Sequence, residues 1–136
     1  MMRVASRPAG RLLQLACGVS ILALLAADAC GRSTPPDQTR VVENGDATRG
    51  RVAIETYGCG SCHMIPGIRD ANGLVGPPLI HWSQRRIIAG EVPNDAERLI
   101  TWLTVPQSIE PGTAMPNMGV TDGQARDMAA YLFTLR

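Results

Sequence analysis

The chain contains no lysine; every one of its 13 basic residues is an arginine. Aromatic residues are scarce, with 2 Trp, 2 Tyr and 1 Phe making up 4% of 136 residues. Apolar and polar residues nowhere alternate as a half-buried strand requires, and no segment repeats. Net charge is only +1, and no basic cluster stands out, so there is no support for nucleic-acid binding. Residues 1–30 carry +2 of that total (Arg3, Arg7 and Arg11 against Asp28), which leaves −1 on residues 31–136. With so few rings the core is thin, a deficit that a large apolar group bound among the side chains would make good. The 14 glycines and 10 prolines predict that loops occupy much of the fold. The length suits one domain and not two.

Met1 to Ala29 has the form of an export signal. Arg3, Arg7 and Arg11 make a basic start, Leu12 to Ala27 an apolar run, and Ala27-Asp28-Ala29 a small-x-small cleavage site. Cys30 follows at the position where a lipidated cysteine would become the new N-terminus, so it is a candidate lipidation site, with ordinary cleavage as the alternative. Residues 1–30 are therefore expected to be an export or lipoprotein signal. Residues 31–44, polar and carrying Pro35-Pro36, are expected to be a flexible linker, and residues 45–136 the domain. The expected location is periplasmic, or on the outer side of a bacterial inner membrane with attachment through the N-terminus.

The most informative stretch is Cys59-Gly60-Ser61-Cys62-His63. Two thiols three positions apart with a histidine directly after the second read as a c-type haem attachment site. The sulfurs of Cys59 and Cys62 would add to the two vinyl groups on one edge of the porphyrin, and His63 would bind iron beneath the ring. Gly60 and Ser61 are small enough to let the backbone pass close to the macrocycle. A zinc site would need a second ligand pair, and the remaining cysteines, Cys17 and Cys30, lie in the N-terminal segment. A redox dithiol would want a βαβ pattern, which is missing.

A first helix is expected over Asp46 to Tyr57, closed by Gly58, with Gly50 inside it where another helix could cross closely. Ile65 to Ile80 should be a loop folding back over the haem pocket. Within it, the carbonyl of Pro77 is the candidate acceptor for the outer ring N–H of His63, the alternative being a rigid turn. A short helix is expected over Trp82 to Ala89. A longer one should run from Asp95 to Val105 with Asn94 as N-cap, and a last one from N-cap Thr121 to about Leu135, with Arg126 and Asp127 outside its apolar stripe. The fold class is all-α.

What fills the second axial position decides the function, since methionine suits electron transfer and an open site suits gas or peroxide chemistry. Met1 and Met2 lie in the signal, Met64 adjoins His63, and Met128 falls on an apolar stripe. Met115 and Met118 remain, with His81 a weaker candidate.

Gly50, the CGSCH run, Gly76-Pro77-Pro78-Leu79, Trp102-Leu103 followed by Pro106, Pro111-Gly112-Thr113-Ala114-Met115-Pro116, and Asp127 to Leu132 together resemble the class I, single-haem cytochromes c, over Gly45 to Leu135. The resemblance implies a cytochrome c fold of about four to five short helices, with long loops wrapped round one covalently attached haem c. It makes Met115 the second axial ligand and puts the acceptor for His63 at Pro77. It sets Trp102 close to the haem and has Gly50 and Tyr131 mark the crossing of the first and last helices. Trp82, Arg85 and Arg86 become candidate donors to haem propionates. The implied function is one-electron transfer in a monomeric carrier that is not itself an enzyme. Its redox partners would be a quinol–cytochrome c reductase, a dehydrogenase or a terminal oxidase. The alternatives are a haem subunit of a larger oxidase or dehydrogenase complex, a small peroxidase, or a haem sensor. The missing lysines depart from members that ring the exposed haem edge with them.

Overall fold

The structure, a computed structural model of the chain, describes residues 38–136. The expected export segment with Cys17 and Cys30, and linker positions 31–37, lie outside the described residues. Three α-helices carry the fold among the described residues: α1 (Ala47–Thr56), α2 (Ala96–Thr104) and α3 (Asp122–Leu132). Four single turns of 3-10 helix sit in the loops between and before them, at Gln38–Arg40, Cys59–Ser61, Trp82–Gln84 and Pro106–Ser108. The mostly helical class expected from the sequence holds, with loops and these single turns between the helices.

Each helix begins where a side chain satisfies its first free N–H groups. Asp46 accepts from the Arg49 amide at 2.9 Å. Thr121 and Gln124 form a reciprocal capping box at the start of α3. At α2 the cap is Asp95, which accepts from the Arg98 amide at 3.0 Å. The expected cap, Asn94, is one residue too early. Its amide is used elsewhere, donating to the carbonyls of Trp82 (3.1 Å) and Arg85 (3.0 Å), and it is 3% exposed.

The expected helix over Trp82 to Ala89 does not form. One 3-10 turn ends at Gln84, Arg85 is extended, and β1 (Ile87–Ile88) pairs antiparallel with β2 (Val92–Pro93). The pair Ile87-Ile88 is β-branched, which favours extended backbone. Ala89 and Gly90 then both take positive φ, +54° and +84°, which a helix cannot accommodate.

α1 and α3 cross at contact distance. A Cβ built on Gly50 would lie 1.9 Å from the carbonyl oxygen of Asp127, so only glycine fits. This crossing also overturns the placing of Asp127 outside the buried face. Periodicity along α3 alone leaves it off the stripe, but α1 lies over it and Asp127 is 8% exposed. Its carboxylate accepts from the Asp46 amide at 2.8 Å and from Arg49 Nε and Nη2, both at 2.7 Å. The Arg49 contact holds the carboxyl below its ordinary pKa even though burial pushes it up. Ile54, Leu99, Met128, Ala125 and Ala129 form the centre of the core. Tyr131 leaves α3 to donate its hydroxyl to the Pro66 carbonyl at 2.7 Å. Among the described residues, no helix is long and apolar enough to cross a membrane.

Two outcomes follow from the crossing. Helix propensity alone would have Gly50→Ala stabilise α1 by about 1 kcal/mol. The crossing demands a loss of about 2 kcal/mol or more instead, read as a lower melting temperature. Asp127→Asn is expected to melt earlier at neutral pH. Because the native carboxyl titrates below the unfolded value, the advantage it confers is full above about pH 4 and fades as the pH falls further. The gap between parent and variant should therefore close in acid; a gap that is the same at pH 3 and pH 7 would refute the assignment.

Candidate functional site

α1 delivers the chain directly into the CGSCH run. Gly58 stands at φ +67° with open space around it, so glycine serves the left-handed turn there. The chain then closes a single 3-10 turn. The amide of Ser61 donates to the Gly58 carbonyl at 3.0 Å, and those of Cys62 and His63 donate to the Cys59 carbonyl at 3.3 and 3.1 Å. Cys59 and Cys62 are thus held on one turn as unpaired, half-buried thiols, with His63 immediately after. Burial pushes the Cys59 thiol up from its ordinary pKa, and Cys62 adds to the rise. Among the described residues, no group of three or more His, Cys, Asp or Glu could hold a metal ion, so a zinc site has no ligand set there.

The loop after His63 is laced onto this turn by backbone hydrogen bonds. Gly73 N donates to Gly60 O at 3.0 Å, Gly76 N to Cys62 O at 2.8 Å, and Leu79 N to Met64 O at 2.8 Å. The glycines make the approach feasible. A Cβ on Gly73 would lie 2.4 Å from the Ser61 carbonyl oxygen, and one on Gly60 would lie 2.6 Å from the Ala71 Cβ. The small size of Gly60 therefore serves its contact with Ala71.

Gly76 is the tightest of these contacts. A Cβ there would lie 2.2 Å from His63 Cε1 and 2.6 Å from Nδ1, so the imidazole rests directly on the Gly76 backbone. The ring's Nδ1 is 2.8 Å from the Pro77 carbonyl oxygen. A carbonyl can only accept, so Nδ1 carries a proton, and in the neutral ring Nε2 keeps its lone pair. One imidazole nitrogen is thereby available as a metal ligand, with ring and tautomer both held.

The loop laced onto this turn leaves Leu74 and Val75 81% and 80% exposed, and Ile80 is exposed as well. The indole Nε1–H of Trp82 is buried without a hydrogen-bond partner. Two free thiols, an available imidazole nitrogen, exposed aliphatic side chains and one orphaned buried donor fit a large apolar group that also carries hydrogen-bond acceptors. Haem is such a group.

The remaining sequence candidates fall in different settings. Met115 is half-buried in the irregular stretch before α3, its carbonyl accepting from Gln107 Nε2 at 2.9 Å and its amide donating to Thr113 Oγ1 at 3.2 Å. Met118 is 46% exposed. Trp102 is half-buried on α2 and packs against the core together with Cys59. Arg86 is exposed, as is His81. Arg85 is engaged: its guanidinium donates to the Pro78 carbonyl and lies 5.2 Å over the Trp82 ring. The roles of Gly73, Gly76 and Arg85 escape sequence reading because each depends on what the loop folds against. The Gly76-Pro77-Pro78 run was the available signal.

A family model described as Cytochrome c matches residues 47–136. Two similar curated proteins are both named cytochrome c oxidase subunit 2. That of Alkalihalophilus pseudofirmus is 34% identical over 90 residues, covering 66% of this chain and 25% of its own length. That of Bacillus sp. strain PS3 is 31% identical over 88 residues, covering 62% of this chain and 25% of its own length. The chain thus spans about a quarter of the length of these relatives.

Gly76→Ala tests the packing of the ring. The added methyl is expected to displace the imidazole and break its bond to Pro77. NMR should then lose a slowly exchanging His63 Nδ1–H signal that the parent protein retains. A variant in which that proton stays protected would contradict the contact.

Proposed function

The chain belongs to the cytochrome c family, whose chemistry is haem-mediated electron transfer, and from that premise we propose how this member performs it. Cys59 and Cys62 would hold one haem c through thioethers, and His63 Nε2 and the Met115 sulfur would hold its iron. The observation that carries this reading is the His63 ring, resting on Gly76 and donating to Pro77 within the same turn that holds both thiols. When bound, the haem supplies one-electron exchange at its iron.

The chain's own residues keep that exchange free of rearrangement. Pro77 orients the imidazole through its Nδ1, and the Gly76 backbone packs against the ring. Gln107 and Thr113 pin the backbone of Met115 on both sides, so its thioether is presented by a fixed segment. Trp82 Nε1, buried and unpartnered, is suited to donate to a propionate, with Arg86 a second donor at the surface. Trp102 packs beside the haem and its methionine. The acids that could have formed a catalytic pair serve other ends: Asp95 caps α2 and Asp127 ties α1 to α3.

The names of the relatives favour a terminal oxidase as electron acceptor. A quinol–cytochrome c reductase or a dehydrogenase would serve as donor. Because the chain matches only a quarter of those relatives, a haem-bearing subunit of an oxidase complex stands beside a free monomeric carrier. Either form would be exported and work on the outer side of the inner membrane, held there if Cys30 carries lipid.

Mass spectrometry of the isolated protein is expected to find one covalent haem, lost in the Cys59→Ala, Cys62→Ala double variant. Met115→Ala should abolish the sulfur-to-iron charge-transfer band of the ferric protein and lower its reduction potential, while Met118→Ala should leave both. The reverse pattern would transfer the ligand role to Met118. The domain has no lysine and is close to neutral, so steering should contribute little. Electron transfer to an oxidase is expected to change by less than about threefold between low and physiological ionic strength; a steep fall with salt would overturn that.

A further inference from the structure

We infer that Arg40, Asn94 and Arg85 form a relay of carbonyl-binding side chains that positions the His63 imidazole from outside the haem crevice, an inference that rests on the haem-binding reading above. The relay begins in sequence expected to be linker. Arg40 donates from Nε to the Asn94 carbonyl at 3.3 Å, from Nη2 to the Arg85 carbonyl at 2.9 Å, and from Nη1 to the Ser83 carbonyl. Three carbonyls on one guanidinium need its planar fork of donors, which a lysine ammonium cannot reproduce. Asn94 donates from Nδ2 to the carbonyls of Trp82 and Arg85. The carbonyls of residues 82, 83 and 85 are thus all held by side chains, in a segment with little regular backbone pairing of its own.

The next step is carried by the Arg85 side chain. It lies over the Trp82 ring and donates to the carbonyl of Pro78. The adjacent carbonyl, Pro77, is the acceptor for His63 Nδ1. The four residues 76–79 are thereby fixed at every polar backbone atom that matters for the ring: Gly76 N on Cys62, Pro77 O on His63, Pro78 O on Arg85 and Leu79 N on Met64. With Arg40 loosened, the Arg85 carbonyl keeps only its bond from Asn94, the Arg85 guanidinium is held less firmly on Pro78, and the Pro77–Pro78 peptide can tilt away from the imidazole. A weaker Nδ1–H bond makes His63 a poorer electron donor to iron, which favours the ferrous state. Arg40, Asn94 and Arg85 are positioning residues in this scheme and touch no reacting atom.

The test uses the haem-loaded full chain and two substitutions that keep the charge unchanged. Arg40→Lys retains the cation but not the three-point contact, and Asn94→Ala exchanges one neutral group for another. Any change in potential then cannot be a lost charge. Both are expected to raise the midpoint potential in a redox titration and to shift the paramagnetic NMR resonances of the His63 ring in the ferric protein. The double variant should shift them by less than the sum of the two, since both act on the Arg85 carbonyl. If melting temperatures fall while the potential and the His63 resonances match the parent, the contacts are structural only and the inference is wrong. Should Asn94→Ala fail to fold, Arg40→Lys decides alone. A parent protein that takes up no haem overturns the haem reading together with this inference, whereas a loaded parent with unmoved variants overturns the inference only.

Discussion

The close crossing of α1 and α3 is the constraint from which the rest of the structure follows. At Gly50 one helix backbone lies against the other with no side chain between them, and α1 runs straight into the turn that holds Cys59, Cys62 and His63. Fixing α1 on α3 therefore aims the thiols. α3 in turn secures the surroundings of that turn: Gln124 accepts from the Tyr57 hydroxyl at 2.8 Å, and Tyr131 donates to Pro66 in the returning loop. Asp127 locks the crossing electrostatically, accepting from Asp46 and Arg49 of α1. A hydrogen bond to a charged group is worth roughly twice a neutral one, so the crossing combines steric fit with its strongest polar contact.

The loop between His63 and Leu79 shows how a segment with almost no regular structure can be rigid. Its amides pair with the carbonyls of Gly60, Cys62 and Met64, and glycine occurs wherever a Cβ would collide. Rigidity of this kind suits a redox site, because a ligand held by its surroundings leaves little to reorganise when an electron moves. The same economy is seen at Met115, whose own backbone N–H and carbonyl are both engaged.

The chain's thin supply of aromatic side chains also takes on a physical meaning. The aliphatic residues near the turn, Leu74 and Val75 foremost, lie outside the protein's own core. A fold with few rings and such exposed aliphatic groups is suited to hold a large apolar group.

Much of this was legible in the residues themselves. The CGSCH spacing is that of a haem attachment site, in which two thioethers and one imidazole must reach fixed points on one macrocycle. Asp46 and Thr121 announce helix starts, since their side chains satisfy amides that nothing else nearby can. Local periodicity was enough for α1, α2 and α3. It failed where a distant segment decided the outcome. Ile87-Ile88 became a strand because the chain reverses at Ala89-Gly90 and pairs with Val92-Pro93. Asn94 gave up its cap to serve two carbonyls from residues 82–85, and Asp127 was buried by a helix some 80 residues away in the chain. Arg40 lay in apparent linker and proved to be bonded into the domain. Sequence alone determined the helices and the run of two thiols and a histidine, since both depend on neighbours within a few positions. Tertiary structure decided where Arg40, Asn94 and Asp127 are bonded, since those partners meet only after the loops have closed.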